Sequence, residues 1–289
     1  MTEHLESTQE QPQAEQQQTD QQPENNNLFQ AIGVVSGDVL ITGDLLATVT
    51  IKGREYFLKC ARKNHQVFKA LKHRIEDTGS SFQTLMVYPK ATHFPKPDQP
   101  HNIYFELVAY KSENANQGLF EDCNDFEFKL CGLWQFIPVS KTPCISVFKN
   151  YKKERIDFIK SAEMGLKVKY MKAAHIPLMW RDAIVPPFRF NPKASKDEQA
   201  KRYFVQIKAK FAPEKNIFFF DSILGLPTED VPRFLKASKT DKAEVIKQKR
   251  QQRKDTENKT ETPKPKPKMS KPEIKTEIPK PKPKKKSAL

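Results

Sequence analysis

Two proline–lysine runs, PKPKPK (263–268) and PKPKPKKK (279–286), limit what this chain folds into. Proline fixes φ and lacks an N–H, so a run with proline at alternate positions builds neither a helix nor a sheet interior and stays extended. Residues 236–289 hold 19 Lys/Arg against 7 Asp/Glu, whereas residues 1–27 hold 6 Asp/Glu and no Lys or Arg. Both ends lack the apolar residues that offset the cost of ordering. The sequence therefore predicts a disordered acidic, Gln-rich arm over 1–27 and a disordered Lys/Pro-rich tail over 236–289. The foldable chain is confined to 28–235. That middle is basic as well, with +9 of the overall +15.

Within 28–112 the pattern reads as short strands. VVSGDVLITG (34–43) is β-branched and bounded by glycine, and LATVTIKG and REYFLKC follow as a hairpin around Lys52-Gly53. NHQVFKALKHRIEDTG (64–79) places Val67, Phe68, Leu71 and Ile75 at helical spacing, with Asn64 as N-cap and Gly79 past the end. FQTLMVYP (82–89) and NIYFELVAY (102–110) supply two more strands. Three strands, a helix and two strands is the element order of an OB-fold, a five-stranded Greek-key barrel.

A second copy is expected over 126–235, with 111–125 as a polar linker. Phe29-x-x-x-Gly33 recurs as Phe128-x-x-x-Gly132, ATVTIKG (47–53) as CISVFKN (144–150), and YFELVA (104–109) as FVQIKA (204–209). The five strand candidates are FEFKLCGLWQFIPV, CISVFKN, LKVKYMKAAHI, RYFVQIKAKF and NIFFFDSIL, with a helix in YKKERIDFIKSAE (151–163). The predicted fold class is mainly β: two tandem OB-like barrels with short helices, flanked by disordered tails.

Strand parity selects the candidate binding residues. In RYFVQIKAKF, inward Val205, Ile207, Ala209 and Phe211 leave Phe204, Gln206, Lys208 and Lys210 on the outer face. A ring beside lysines on one sheet face is a stacking platform with phosphate contacts, or else a solvated strand face. Read as a strand, LKVKYMK turns Val168 and Tyr170 inward and Lys167 and Lys169 outward. The loop 177–192 alternates Trp180, Arg181, Phe188, Arg189 and Phe190, which suits stacking on bases and pairing with phosphates. The alternative is that Trp180 and Phe188 plug the barrel end. Lys152, Lys153 and Arg155 form a basic patch, either part of the same groove or a solvated loop.

Catalysis finds little support. The chain has no G-x-x-x-x-G-K-[ST] loop, no G-x-S-x-G elbow and no H-E-x-x-H. His65 and His73 lack an acidic motif around them. Cys60, Cys123, Cys131 and Cys144 form no C-x-x-C pair, so neither a zinc site nor a disulfide framework is implied. No cofactor or metal is expected, and the chain reads as non-enzymatic. No apolar run approaches the ~20 residues that cross a bilayer, and the acidic start is unlike a signal or transit peptide. A cytoplasmic protein is the expectation.

FQAIGVVSGDV, the VYP strand, FKLCGLWQFIPV and RYFVQIKA together resemble a cyanobacterial protein family over about 28–235. The resemblance implies no activity, cofactor or site residue. The expected function is binding of single-stranded nucleic acid, RNA ahead of DNA, with the tail adding nonspecific attraction through counterion release. The alternatives are a scaffold that docks an acidic protein partner or assembly, and, less favoured, attachment to anionic membrane through the tail.

Overall fold

The computed structural model describes residues 27–260, apart from 97–98, 113–116 and 196. The predicted arm up to residue 26 and both proline–lysine runs lie outside the described residues. One compact unit extends to Asp241, and Lys242 onward forms a second.

The first barrel is built from β1 (Gln30–Gly43), β2 (Leu46–Ile51), β3 (Arg54–Cys60), β4 (Phe82–Thr92) and β5 (Asn102–Tyr110). Its strand order is β1-β2-β3-β5-β4, closed by β4 on β1. All pairs are antiparallel except β3 with β5. Helix α1 (His65–Thr78) links β3 to β4 and buries Phe68 and Leu71. Asn64 stands at its start without capping it; its amide donates to the Leu107 carbonyl instead, at 3.2 Å.

After α2 (Gln117–Phe120) the second barrel follows: β6 (Glu127–Gln135), β7 (Cys144–Val147), β9 (Ala174–Met179), β10 (Tyr203–Ala212) and β11 (Ile217–Thr228). Its order, β6-β7-β9-β11-β10 closed by β10 on β6, repeats the first, again with one parallel pair, β9 with β11. The OB-like barrel topology therefore occurs twice. The helices differ. In the second copy α3 (Lys153–Ser161) and α4 (Met164–Tyr170) sit between the second and third barrel strands, and the third-to-fourth link has no helix among the described residues. A two-residue ladder, β8 (Lys149–Asn150) with β12 (Phe234–Leu235), adds a patch beside β7.

Strand equivalence corrects two of the expected repeats. The first strand of each barrel switches partners once, at Asp38 and at Leu133, and a glycine precedes each switch. A Cβ at Gly37 would overlap the Thr50 carbonyl oxygen, and one at Gly132 would lie 2.6 Å from the Ser146 carbonyl oxygen. Gly132 thus matches Gly37 rather than Gly33. YFELVA lies on β5 but FVQIKA on β10, the fourth strand of its barrel, so those two segments are not equivalent either.

Gly33 serves a different contact. Residues 30–33 of β1 pair with 128–131 of β6, and a Cβ at Gly33 would run into the Phe128 ring. This seam joins the barrels edge to edge. Their interiors form one apolar cluster. Tyr56 and Phe105 from the first barrel meet Phe128, Phe211 and Phe218 from the second, with Phe105–Phe211 at 5.5 Å and Tyr56–Phe211 at 5.4 Å. The Tyr56 hydroxyl donates to the Pro213 carbonyl at 3.0 Å.

Two segments differ from expectation. LKVKYMK forms α4, and the strand starts only at Ala174. Residues 239–260, inside the segment expected to be disordered, form α5 (Lys239–Thr260). Its Lys, Arg, Gln, Glu and Ala content favours helix. The Ser238 hydroxyl accepts the Asp241 N–H at 3.0 Å as its N-cap.

Because one aromatic core serves both barrels, Phe211→Ala should lower stability by about 3–5 kcal/mol. Residues 27–241 should also unfold in a single transition by calorimetry. Two separated transitions, one of them untouched by Phe211→Ala, would refute the shared core.

Candidate nucleic-acid interface

The candidate residues of the second barrel fall into four groups. Phe204 does stand on the outer barrel face, but it is fully buried there. The chain entering β1 lies across it, and Phe29 meets its ring edge-on at 5.2 Å beside Cys131 and Leu133. Trp180 is buried too. It stacks on Phe220 at 4.5 Å and 5.6 Å from Trp134, and with buried Phe188 it closes the barrel mouth. Those two rings are packing, as the plug alternative has it.

Lys208 and Lys210 face outward but are paired. Lys208 lies 3.5 Å from the Glu127 carboxylate and Lys210 2.6 Å from that of Asp221, which holds the Asp221 carboxyl below its ordinary range. Lys167 and Lys169 sit on α4 rather than on a strand.

The third group is the loop after β9. Exposed Arg181 borders a cleft of about 450 Å³ with Trp180, Asp182 and Phe220. The Arg189 guanidinium covers the Phe136 ring at 4.0 Å, Arg202 covers Phe188 at 4.5 Å, and Phe190 is exposed. Stacking holds these guanidinium planes in place while leaving their N–H groups at the surface.

The fourth group opens α3. Lys152 and Lys153 are exposed, and half-buried Arg155 donates to the Asn150 carbonyl at 2.8 Å. Here the candidates meet residues of the first barrel that the sequence reading overlooked. Lys149 feels the charges of Arg155 on its own side and of Lys90 and Lys63 on the other. Burial, and next Lys90, hold the Lys149 ammonium below the ordinary lysine range; Glu106 opposes this, and Arg155 and Lys63 add to it. Lys90 pairs with Glu106 at 3.7 Å, and Lys149 stands over the Tyr170 ring at 5.6 Å. Lys59 covers Tyr104 at 4.4 Å. Burial, then Glu106, raises the Tyr104 phenol, so the ring stays neutral.

Further exposed apolar side chains stand on the outer face of β1, β2 and β3. Leu40, Thr48 and Phe57 are consecutive cross-strand partners, and Leu46 pairs with Lys59. Leu40, Leu46 and Phe57 are each at least half exposed. REYFLKC carried the signal: buried Tyr56, Leu58 and Cys60 alternate with exposed Glu55, Phe57 and Lys59.

Ser146 and His175 lie close but make no reactive pair with solvent. The Ser146 hydroxyl is 2.7 Å from His175 Nδ1 and accepts from Gln135 at 2.8 Å, and it is fully buried. All four cysteines are buried free thiols. Desolvation pushes Cys131 up to about 11 and Cys144 up to about 12. Among the described residues no group of three or more His, Cys, Asp or Glu is placed to hold a metal, and no helix is long and apolar enough to cross a membrane.

His93, just after β4, ties the first barrel to β9 through a 2.8 Å contact between its Nε2 and the His175 carbonyl. Burial holds its imidazole below the ordinary pKa; the carbonyl bond opposes this, and His101 adds to the lowering. A depressed folded pKa gives stability that is fully present above the unfolded value of about 6.5 and lost as pH falls from there through the lower folded pKa. The melting temperature should therefore decline more steeply below about pH 6.5 in the parent than in His93→Gln. Parallel declines would remove His93 as the cause.

No protein-family model matches the chain and no curated protein does.

Proposed function

We propose that this protein binds single-stranded nucleic acid, RNA ahead of DNA, along the basic surface where its barrels meet, and performs no chemistry on it. One observation carries the reading. Lys90 of the first barrel pairs with Glu106 at 3.7 Å, and Lys149 of the second feels the charges of both, together with those of Arg155 and Lys63. Like charges brought together by folding repel one another, and a polyanion relieves that repulsion. The exposed rings and apolar side chains beside them, Phe57 and Leu40 above all, offer faces for unstacked bases. A closed duplex hides those base faces, which is why a single strand suits the site. Residues 126–235 hold 20 Lys/Arg against 11 Asp/Glu, so the wider surface attracts the same ligand. The Lys/Pro run of the tail adds sequence-independent affinity by releasing counterions.

Salt dependence tests the proposal. Anisotropy of labelled uridine and thymidine oligomers, taken between about 50 and 200 mM salt, should give a linear fall of log affinity with log salt. Each phosphate contact on a single strand contributes a slope of about −0.7, so Lys63→Ala with Lys149→Ala should flatten it by about 1.4. Lys208→Ala with Lys210→Ala should change it little, because those lysines already have carboxylate partners. Phe57→Ala should weaken binding by about 1–3 kcal/mol with the slope unchanged. No anisotropy change at the lowest salt would end the proposal.

A further inference from the structure

The second barrel carries a segment that its architecture does not require. The first barrel joins its second strand to its third through the two-residue turn Lys52-Gly53. The second barrel makes the same connection, β7 to β9, with residues 148–173. Both barrels close with the same strand order, so closure does not explain the longer connection. The insertion is nonetheless folded. Ile159 of α3 and Met171, just past α4, are buried with Ala237, and Val168, Tyr170 and Leu235 pack against them. The β8–β12 ladder fastens its first residues.

Its surface holds rings beside unpaired cations. The Phe158 ring meets the Tyr170 ring at 5.0 Å with a 56° tilt, and Phe158 is 48% exposed. Exposed Leu166 stands four residues before Tyr170 on α4, and Lys167 three before it, both on the same side of the helix. The Lys149 ammonium stands over the Tyr170 ring at 5.6 Å. Half-buried Tyr170 is thereby held between that ammonium and the small core beneath, and it backs Phe158. Residues 149–172 hold eight Lys/Arg against three Asp/Glu. Unlike Lys208 and Lys210, none of the eight lies within ion-pair distance of a carboxylate among the described residues.

We infer that the α3–α4 insertion is a second base-stacking platform: Phe158, backed by Tyr170 and flanked by Leu166, receives an unpaired base of a single strand, while Lys149 and Lys167 meet the adjoining phosphates. The inference rests on the nucleic-acid reading above and adds an anchor point on the other barrel from Phe57. An aromatic face accepts any base, because every base has a π-face, and ammonium groups beside it supply the phosphate contacts. The excess of unpaired cations around these rings selects a polyanion over an apolar peptide. Both platforms belong to one compact unit. A strand long enough to reach both therefore engages the second intramolecularly, and its affinity rises beyond what one platform gives.

Anisotropy of the full chain with labelled oligouridines of about 6 and about 24 nucleotides tests this, lengths that bracket the ~4–16 nucleotides one OB-fold covers. Phe158→Ala should weaken binding of the longer oligomer about 5- to 100-fold, the effect of one lost stack, with the salt slope unchanged because no charge is removed. Phe158→Trp should keep the parent affinity. The short oligomer should lose less, because the Phe57 platform still holds it. A thiouridine-substituted strand, irradiated and mapped by mass spectrometry, should cross-link within residues 151–170 as well as on the first barrel. Binding that Phe57→Ala weakens and Phe158→Ala leaves untouched, with no cross-link in the insertion, overturns the second platform and leaves the nucleic-acid reading standing. No anisotropy change at the lowest salt removes both. Sedimentation with phosphatidylserine vesicles is the remaining arm. If Phe158→Ala with Leu166→Ala abolishes it while oligonucleotide affinity stays at the parent level, the platform belongs to lipid and the inference is wrong.

Discussion

The seam between β1 and β6 is the constraint from which the rest of the architecture follows. Two closed barrels have no free sheet edges, so joining them through backbone pairing requires a strand that outruns its own barrel. β1 does this with its first residues, which pair with β6 before and while β1 also takes up β4. Backbone pairing this close leaves no room for a side chain at Gly33, where the Phe128 ring occupies the space. With that ring seated, Phe105, Phe211 and Phe218 close around it, and the two interiors become one. Large aromatic rings contribute more buried area per residue than any other side chain. The union of the barrels thus rests on a few rings and one missing Cβ.

Rigid union is what brings charges of the two barrels to bear on one another. Lys90 stands on β4 and Lys63 at the start of the α1 connection, whereas Lys149 and Arg155 belong to the insertion after β7. Had the barrels been joined by a flexible linker, these four cations would separate to escape one another. The seam, the His93 contact with β9, and the paired contacts of His101 with Asn216 hold them together. Glu106 relieves part of the repulsion through Lys90, and Lys149 gives up some of its charge affinity to stay. Structural stability alone gives no reason for this arrangement, since isolated surface pairs are worth little and like-charge clusters less.

Much of the fold was legible because it is written in short-range pattern. Alternation located the strands of the first barrel, helical spacing located α1, and their order identified the topology. The site was legible only in part, and the misreadings have physical causes. Parity put Phe204 on the outer face correctly, but parity says nothing about a second layer, and Phe29 arrives from 175 residues away in sequence to cover it. LKVKYMK satisfies a two-residue period over seven positions, too few to tell alternation from about two turns of helix. Paired lysines such as Lys208 look identical in sequence to free ones; their partner Glu127 comes from another strand. Arg155 was among the candidates, yet Lys63, Lys90 and Lys149 were passed over, because each is a single lysine in an unremarkable local context and only the fold brings their charges to bear on one another.

The two barrels also show how duplicate architecture separates roles. Phe82 and Phe204 are topological twins, each the cross-strand partner of the switch residue on its barrel's first strand, Asp38 and Leu133. Phe82 is 58% exposed and Phe204 is 0% exposed. The difference comes from what lies above them. In the second barrel the entering chain, Phe148 and Phe234 form a lid of rings over the outer face, and the polar amide of Asn150 fastens it. The equivalent face of the first barrel has no such cover among the described residues, and Leu40, Leu46 and Phe57 remain open to solvent. The division follows from that asymmetry: the first barrel offers a bare face with rings, while the second spends its own face on clamping the chain entry and contributes cations from its insertion.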